Sequence, residues 1–188
     1  MSTIKVSNIQ DIANNAAMSI SSGVVTFPNT AQSAQTFSLQ ANQNGSGSAG
    51  TLYTNLSEVD NDYTRVGTLN WSHSSGVFSS ATTGTFLCMW SQVIKGASGG
   101  DSYDPSIQIS TNSGSNYTAR SLAWGFNIAT NSVNLTTTNQ FIFTVSNKTT
   151  FRLKFLQSTT NDVASSTIII GNAGYASTGL TFLKLGVV

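Results

Sequence analysis

Apolar positions along this chain recur at every second residue far more often than at every third or fourth. In Phe151-Arg152-Leu153-Lys154-Phe155, three apolar side chains fall on one side and both cations on the other, which is the pattern of a half-buried strand. Ile107 and Ile109 alternate with Ser106, Gln108 and Ser110, and Phe141, Phe143 and Val145 alternate with Ile142 and Thr144. Further strands are predicted over residues 36–39, 65–71, 117–124, 167–170 and 180–185. Helix-period runs are nearly absent, and glycine and β-branched residues are spread throughout. Many short strands between turn-rich segments predict an antiparallel sandwich or barrel, not a parallel sheet with crossover helices. Residues 42–50, 95–101 and 111–116, rich in Gly, Ser and Asn, read as loops, the first burying nothing and the last closing a hairpin. There is no internal repeat of fixed period, which sets aside a solenoid or propeller.

Residues 83–94, TGTFLCMWSQVI, break the alternation. On a pleated strand Phe86, Cys88 and Trp90 share one face while Leu87 and Met89 share the other, so both faces are apolar. Leaving Leu87 and Met89 in water forgoes roughly 3–6 kcal/mol of burial, against the roughly 5–15 kcal/mol that holds a whole domain together. Each sheet of a two-layer sandwich has one inner face, so a second burying surface is required. The segment Leu180-Thr181-Phe182-Leu183-Lys184-Leu185 repeats the signature, with Leu183 and Leu185 opposite Leu180 and Phe182. Two such strands in a small polar chain favour self-association over a covering loop, and they place Leu87, Met89, Leu183 and Leu185 at the expected contact.

Composition narrows the partners. Only 8% of the 188 residues are charged, against about a quarter in an ordinary globular protein, and the net charge is +1. Without clustered Lys and Arg there is no field for nucleic acid. No stretch approaches the roughly 18 apolar residues of a spanning helix, and the first twenty residues lack the apolar run of a secretory signal. The lone Cys88 lies in an apolar run and reads as a small buried hydrophobe. The chain length suits one domain. The composition divides it into an extended segment, residues 1–35, and a sandwich, residues 36–188. Ile4, Val6, Ile9 and Ile12 are too sparse for a core of their own, so the first segment is expected to dock on something else.

Two resemblances sharpen this. Residues 71–87, WSHSSGVFSSATTGTFL, and residues 178–185, TGLTFLKL, resemble the C1q/TNF-like jelly roll, in which glycine-aromatic steps lead into apolar strands and the last strand lies beside the subunit contact. The resemblance spans about residues 60–188. It implies an all-β antiparallel jelly-roll sandwich assembled as a compact homotrimer, which would shelter both faces of the two doubly apolar strands. The opening MSTIKVSNIQD and the later SISSGVVTFP are similar to attachment segments and shaft-to-head passages of tailed-phage virion proteins, those of marine phages in the first case. That implies a non-enzymatic protein of the virion surface, the head of a tail fibre or spike, docked to other virion proteins through its N-terminal segment. A decoration protein studding the capsid shell needs the same trimer and is the alternative.

The inventory for chemistry is short. His73, the one histidine, sits among serines with no nearby carboxylate to orient it for Ser-His-Asp catalysis, and no P-loop, dinucleotide fingerprint or zinc spacing occurs. No catalytic residue, metal or cofactor is expected. Glu58, Asp60 and Asp62 alternate but lack the glycine and distal Glu of a calcium loop. Asp101, Tyr103 and Asp104 occupy a glycine-rich loop whose mix of acid and aromatic suits contact with a host surface glycan or protein.

Overall fold

The computed structural model describes residues 8–10, 16–21, 24–26, 33–45, 52–58, 65–67, 69–95, 101–122, 126–128, 134–157, 167–172 and 177–186. All regular structure among them is β. In chain order the strands are β1 (Asn8–Gln10), β2 (Ala16–Ser21), β3 (Val24–Thr26), β4 (Ser33–Leu39), β5 (Gln43–Asn44) and β6 (Leu56–Glu58). Next come β7 (Arg65–Val66), β8 (Trp71–Ser74), β9 (Val77–Ser80), β10 (Gly84–Lys95), β11 (Asp101–Tyr103) and β12 (Ser106–Ser110). The last are β13 (Thr118–Leu122), β14 (Phe126–Ile128), β15 (Asn134–Val145), β16 (Arg152–Leu156), β17 (Ile168–Ile169) and β18 (Gly179–Gly186).

Two antiparallel sheets make the sandwich. In the larger, β10 pairs with β15 along one edge and with β17 and β18 along the other; β18 pairs with β4, and β4 with β6 and β7. The smaller runs β13-β12-β16-β9-β8. β11 and β14 form a ribbon, and β1-β2-β3 a separate meander. The jelly roll expected from the sequence is the fold observed. Strand β4 starts at Ser33, so sheet pairing begins before residue 36, where the sandwich was expected to start.

The alternation read from the sequence sets the core. Phe86, Cys88 and Trp90 of β10, Leu180 and Phe182 of β18, and Leu153 and Phe155 of β16 all point between the sheets and are buried. Trp71 stacks on Phe182 at 4.2 Å, Phe143 on Phe151 at 5.4 Å, and Trp90 meets Phe155 edge-on at 5.1 Å. Each such pair is worth roughly 0.5–1.5 kcal/mol beyond the area it buries. One corner is joined by a side chain. Gln35 on β4 donates from Nε2 to the Trp71 carbonyl at 3.0 Å and accepts the Trp71 N–H on Oε1 at 2.6 Å. The amide thus completes a backbone-like pair between the two sheets and satisfies its own buried polar atoms.

Several expectations are corrected. Residues 42–50 are not a loop that buries nothing: Gln43–Asn44 pairs with β17 and Gly45 is buried. The predicted strand over 65–71 is two short ones, β7 and the start of β8, in different sheets. His73 is not in a turn but on β8, opposite Phe78. The turn is Ser75-Gly76, both with positive φ, 49° and 83°, the conformation of a tight hairpin. A Cβ on Gly76 would lie 2.8 Å from the Leu52 side chain. The hairpin expected at 111–116 joins β12 to β13.

Candidate self-association face

The outer face of the larger sheet carries a continuous apolar row. Five strands place one residue each in register: Val66 on β7 faces Ala34 on β4, Ala34 faces Leu183 on β18, Leu183 faces Leu87 on β10, and Leu87 faces Ile142 on β15. Four strand spacings of about 4.8 Å make this row roughly 20 Å long. Its two ends are open, Val66 60% and Ile142 58% exposed, while Leu87 and Leu183 are half-buried.

The next row is Thr36, Thr181, Met89 and Gln140, with the Thr36 and Thr181 hydroxyls hydrogen-bonded at 2.9 Å. Beyond it, Gly179 faces Ser91 and Ser91 faces Thr138. The missing side chain at Gly179 helps open a depression of about 220 Å³ lined by Thr36, Met89, Ser91, Thr138 and Thr181. On the other side of the apolar row, Thr85 pairs with Thr144 through hydroxyls 3.3 Å apart. No side chain in these rows is charged, so the face can meet an apolar surface without burying an unpaired ion.

The structure therefore places Leu87, Met89 and Leu183 together on one outward face. Leu185 stands apart: the register shifts between Thr85 and Phe86, which pair with Gly186 and Lys184, so Leu185 falls in the bulge and is exposed. Val66, Ala34 and Ile142 complete the row and were not identified from sequence. Ile142 carried a local signal, since Phe141-Ile142-Phe143 is apolar on both sides. Val66 and Ala34 join only through pairing across strands distant in sequence.

The other expected sites fare differently. Asp101 and Tyr103 belong to the β11–β14 ribbon rather than to a loop. Asp104 is 2% exposed, so the carboxylate expected at a host surface is buried. Of the expected docking segment, Ile9 pairs with Met18 across β1 and β2, and Ile4, Val6 and Ile12 lie outside the described residues. So do Asp60 and Asp62, while Glu58 accepts a hydrogen bond from Gln35 Nε2 at 2.7 Å. Burial lowers the pKa of His73 and pushes the Cys88 thiol far up, which makes that thiol inert. Among the described residues no group of three His, Cys, Asp or Glu could hold a metal ion, and no helix is long and apolar enough to cross a membrane.

No protein-family model matches the sequence, and no curated protein matches it. Solved structures do. Murine APRIL aligns with 82% of this chain and 99% of its own at 11% identity and a TM-score of 0.50. Eiger TNF from S. frugiperda aligns with 82% of this chain and 93% of its own at 12% identity and a TM-score of 0.55. The PRD1 vertex protein P5 reaches a TM-score of 0.44 at 15% identity, covering 84% of this chain and 99% of its own, too distant to bear on the argument. At these identities the likeness speaks to fold alone, and the fold is the antiparallel jelly roll of the TNF/C1q class.

Proposed function

We propose that the chain is a non-enzymatic, homotrimeric jelly-roll module of a phage virion, the head of a tail fibre or spike that meets the host surface. The observation that carries the reading is the uncharged apolar row from Val66 to Ile142. An antiparallel sheet with one solvated face normally shows polar residues there, and a row of this length is sheltered most simply by a second copy of the same surface. Closed symmetry satisfies such contacts without open-ended growth. Threefold closure follows from the resemblance of residues 71–87 and 178–185 to C1q/TNF-like domains. The virion assignment is supported by the resemblance of residues 1–11 and 19–28 to phage attachment and shaft-to-head segments.

Low charge suits this role. Hydroxyl and amide surfaces exert little long-range force, and where the Debye length is under about 10 Å such force is screened in any case. Adhesion then depends on copy number, since multivalent contacts multiply weak ones. Sedimentation equilibrium of the purified chain tests the assembly: about three times 19.8 kDa is expected, and 19.8 kDa alone overturns it. Gold-labelled antibody on intact particles tests the location. Label at the tail tip is expected, label over the shell replaces the fibre with the decoration protein, and unlabelled particles remove the virion assignment.

A further inference from the structure

The few cations of this chain are not spread evenly. Four of its eight, Arg120, Lys148, Arg152 and Lys154, lie on the smaller sheet or in the turn that leads into β16. None of the strands β8, β9, β12, β13 and β16 contains Asp or Glu. A chain that is nearly neutral overall therefore has one sheet that is positive. Three of the four cations lie towards one end of it. Arg152 and Lys154 stand on the outer side of β16, across from Ser110 and Gln108 of β12, and Lys148 is exposed in the turn before them.

Two turns build that end, and each is braced by its own side chains. In residues 110–116 the Ser110 hydroxyl accepts the N–H groups of Asn112 and Gly114 at 3.3 and 3.0 Å, and Asn112 Oδ1 accepts that of Asn116 at 3.0 Å. In residues 147–150 Asn147 Oδ1 accepts the Thr149 N–H at 3.0 Å and the Thr149 hydroxyl at 2.7 Å. The Ser113 N–H donates to the Thr150 carbonyl at 2.8 Å and ties one turn to the other. The first turn delivers Tyr117, whose ring lies against the Lys154 ammonium. Burial raises the pKa of this phenol and the charge of Arg152 opposes the rise, so phenol, guanidinium and ammonium share one neighbourhood. The bonds from Arg152 Nη1 to the Thr149 and Phe151 carbonyls fix the plane of the guanidinium. An incoming carboxylate then meets its Nε–Nη2 edge, which can donate two parallel bonds. A frame ordered in advance loses little entropy on binding.

The surroundings select the carrier of the anion. Ser113, Ser115, Asn116 and Thr149 are exposed around the cations, and their hydroxyls and amides donate and accept as sugar hydroxyls do. None of the large exposed apolar residues, Val66, Leu122, Ile142 and Leu185, lies in either turn, so a lipid surface gains no apolar anchor there. Unpaired nucleic acid needs open aromatic platforms for its bases, and Tyr117 already carries the Lys154 ammonium on its ring.

We propose that this end of the smaller sheet, with Tyr117, Lys148, Arg152 and Lys154, binds an acidic polysaccharide, a sugar carboxylate being held by Arg152 and Lys154. It lies on the sheet opposite the apolar row, so copies joined through that row leave it open. In a virion head it supplies the contact with the host surface, but the binding rests on these residues and not on that reading.

Polygalacturonate oligomers titrated into the full wild-type chain at low salt, followed by calorimetry and by backbone amide shifts, test the site, with dextran oligomers as the uncharged counterpart. Saturable binding that weakens as salt is added, shifts confined to residues 111–118 and 146–154, and no binding of dextran are expected. Arg152→Ala with Lys154→Ala, shown to be folded by near-UV circular dichroism, should lose about tenfold or more in affinity. Lys148→Glu, in an exposed turn, should weaken binding by a smaller factor. Absence of polygalacturonate binding, equal binding of dextran, or shifts centred outside these two turns overturns the proposal. So does tighter binding of single-stranded DNA or of anionic phospholipid vesicles, which would make the carrier a nucleic acid or a membrane. The wild-type shifts decide the matter even if the double variant does not fold. Binding by a chain that sediments as a monomer removes the proposed assembly and keeps this site, and a trimer that fails to bind does the opposite.

Discussion

The sandwich has two outer faces, and they are built on opposite rules. On the smaller sheet, β16 turns Leu153 and Phe155 inward and sets Arg152 and Lys154 outside. Lys154 Nζ lies over the Tyr117 ring at 4.2 Å, and Arg152 Nη1 caps the Thr149 and Phe151 carbonyls at 3.1 and 2.7 Å. Long cationic stems cover the sheet while their heads stay wet. On the larger sheet, β10 and β18 turn equally large residues inward but set Leu87, Met89 and Leu183 outside. Both sheets fill their side of one core, so core formation does not account for the second set. The contrast separates residues that hold the fold from residues that, on the proposed reading, join copies.

Phe182 and Leu183 put that separation to its hardest trial, because they are neighbours on one strand and face opposite ways. Phe182 is buried against Trp71, Phe37 and Phe78. Phe182→Ala is expected to cost roughly 3–5 kcal/mol, a large share of the stability of any domain. Urea denaturation reads this directly, and a loss under about 1 kcal/mol would mean that the inner face is not the core. Leu87→Asp combined with Met89→Asp is expected to do the reverse. The near-UV circular dichroism of the aromatic core should persist while the sedimenting mass falls to that of one chain. An intact trimer carrying both aspartates would place the contact elsewhere. Arg152→Ala with Lys154→Ala is the matched control on the other face. Assembly should be unchanged and stability should shift by about 1 kcal/mol or less, the worth of an exposed cation–π contact and little more. Dissociation of this variant would reverse the assignment of the two faces.

How much of this was legible in the sequence depends on how local the signal is. Alternation in β15, in residues 151–155 and in β18 as far as Leu183 marked inward and outward residues correctly, because a strand's period is a property of the strand alone, whereas the serines at both ends of β12 are buried and the bulge takes Leu185 out of step. The double apolarity of β10 was legible for the same reason. The row to which Leu87 belongs was not, since Val66, Ala34, Leu183 and Ile142 reach it through register between segments as far apart as residues 34 and 183. Local polarity misled in two places. The serines around His73 suggested a turn, yet Ser72 and Ser79 pair their hydroxyls across β8 and β9 at 2.9 Å, as polar residues do on a wet strand face. Asp104 sits in a polar stretch but precedes Pro105, whose carbonyl holds Asn139, and that contact lies at the buried end of the core.

His73 supplies the smallest and most specific test of how the faces differ, because it stands at the edge strand of the charged-face sheet yet behaves as an interior group. Burial lowers its pKa, with the backbone of Tyr53 and of Leu56 opposing the shift, and its ring lies 4.6 Å from that of Phe78. The neutral imidazole is therefore favoured in the fold. As pH falls through about 6.5, the ordinary histidine value, the unfolded chain takes up a proton before the folded one does. Stability must then decline across the interval from that value down to the depressed folded pKa, and rise again with pH. Urea midpoints measured from pH 8 to pH 5 should show this slope in the wild type, and His73→Gln should remove the part due to the imidazole. Equal slopes in the two proteins would mean that His73 is as wet as Arg152 and Lys154 on the outside of β16, and that the edge between β8 and β6 is open to solvent.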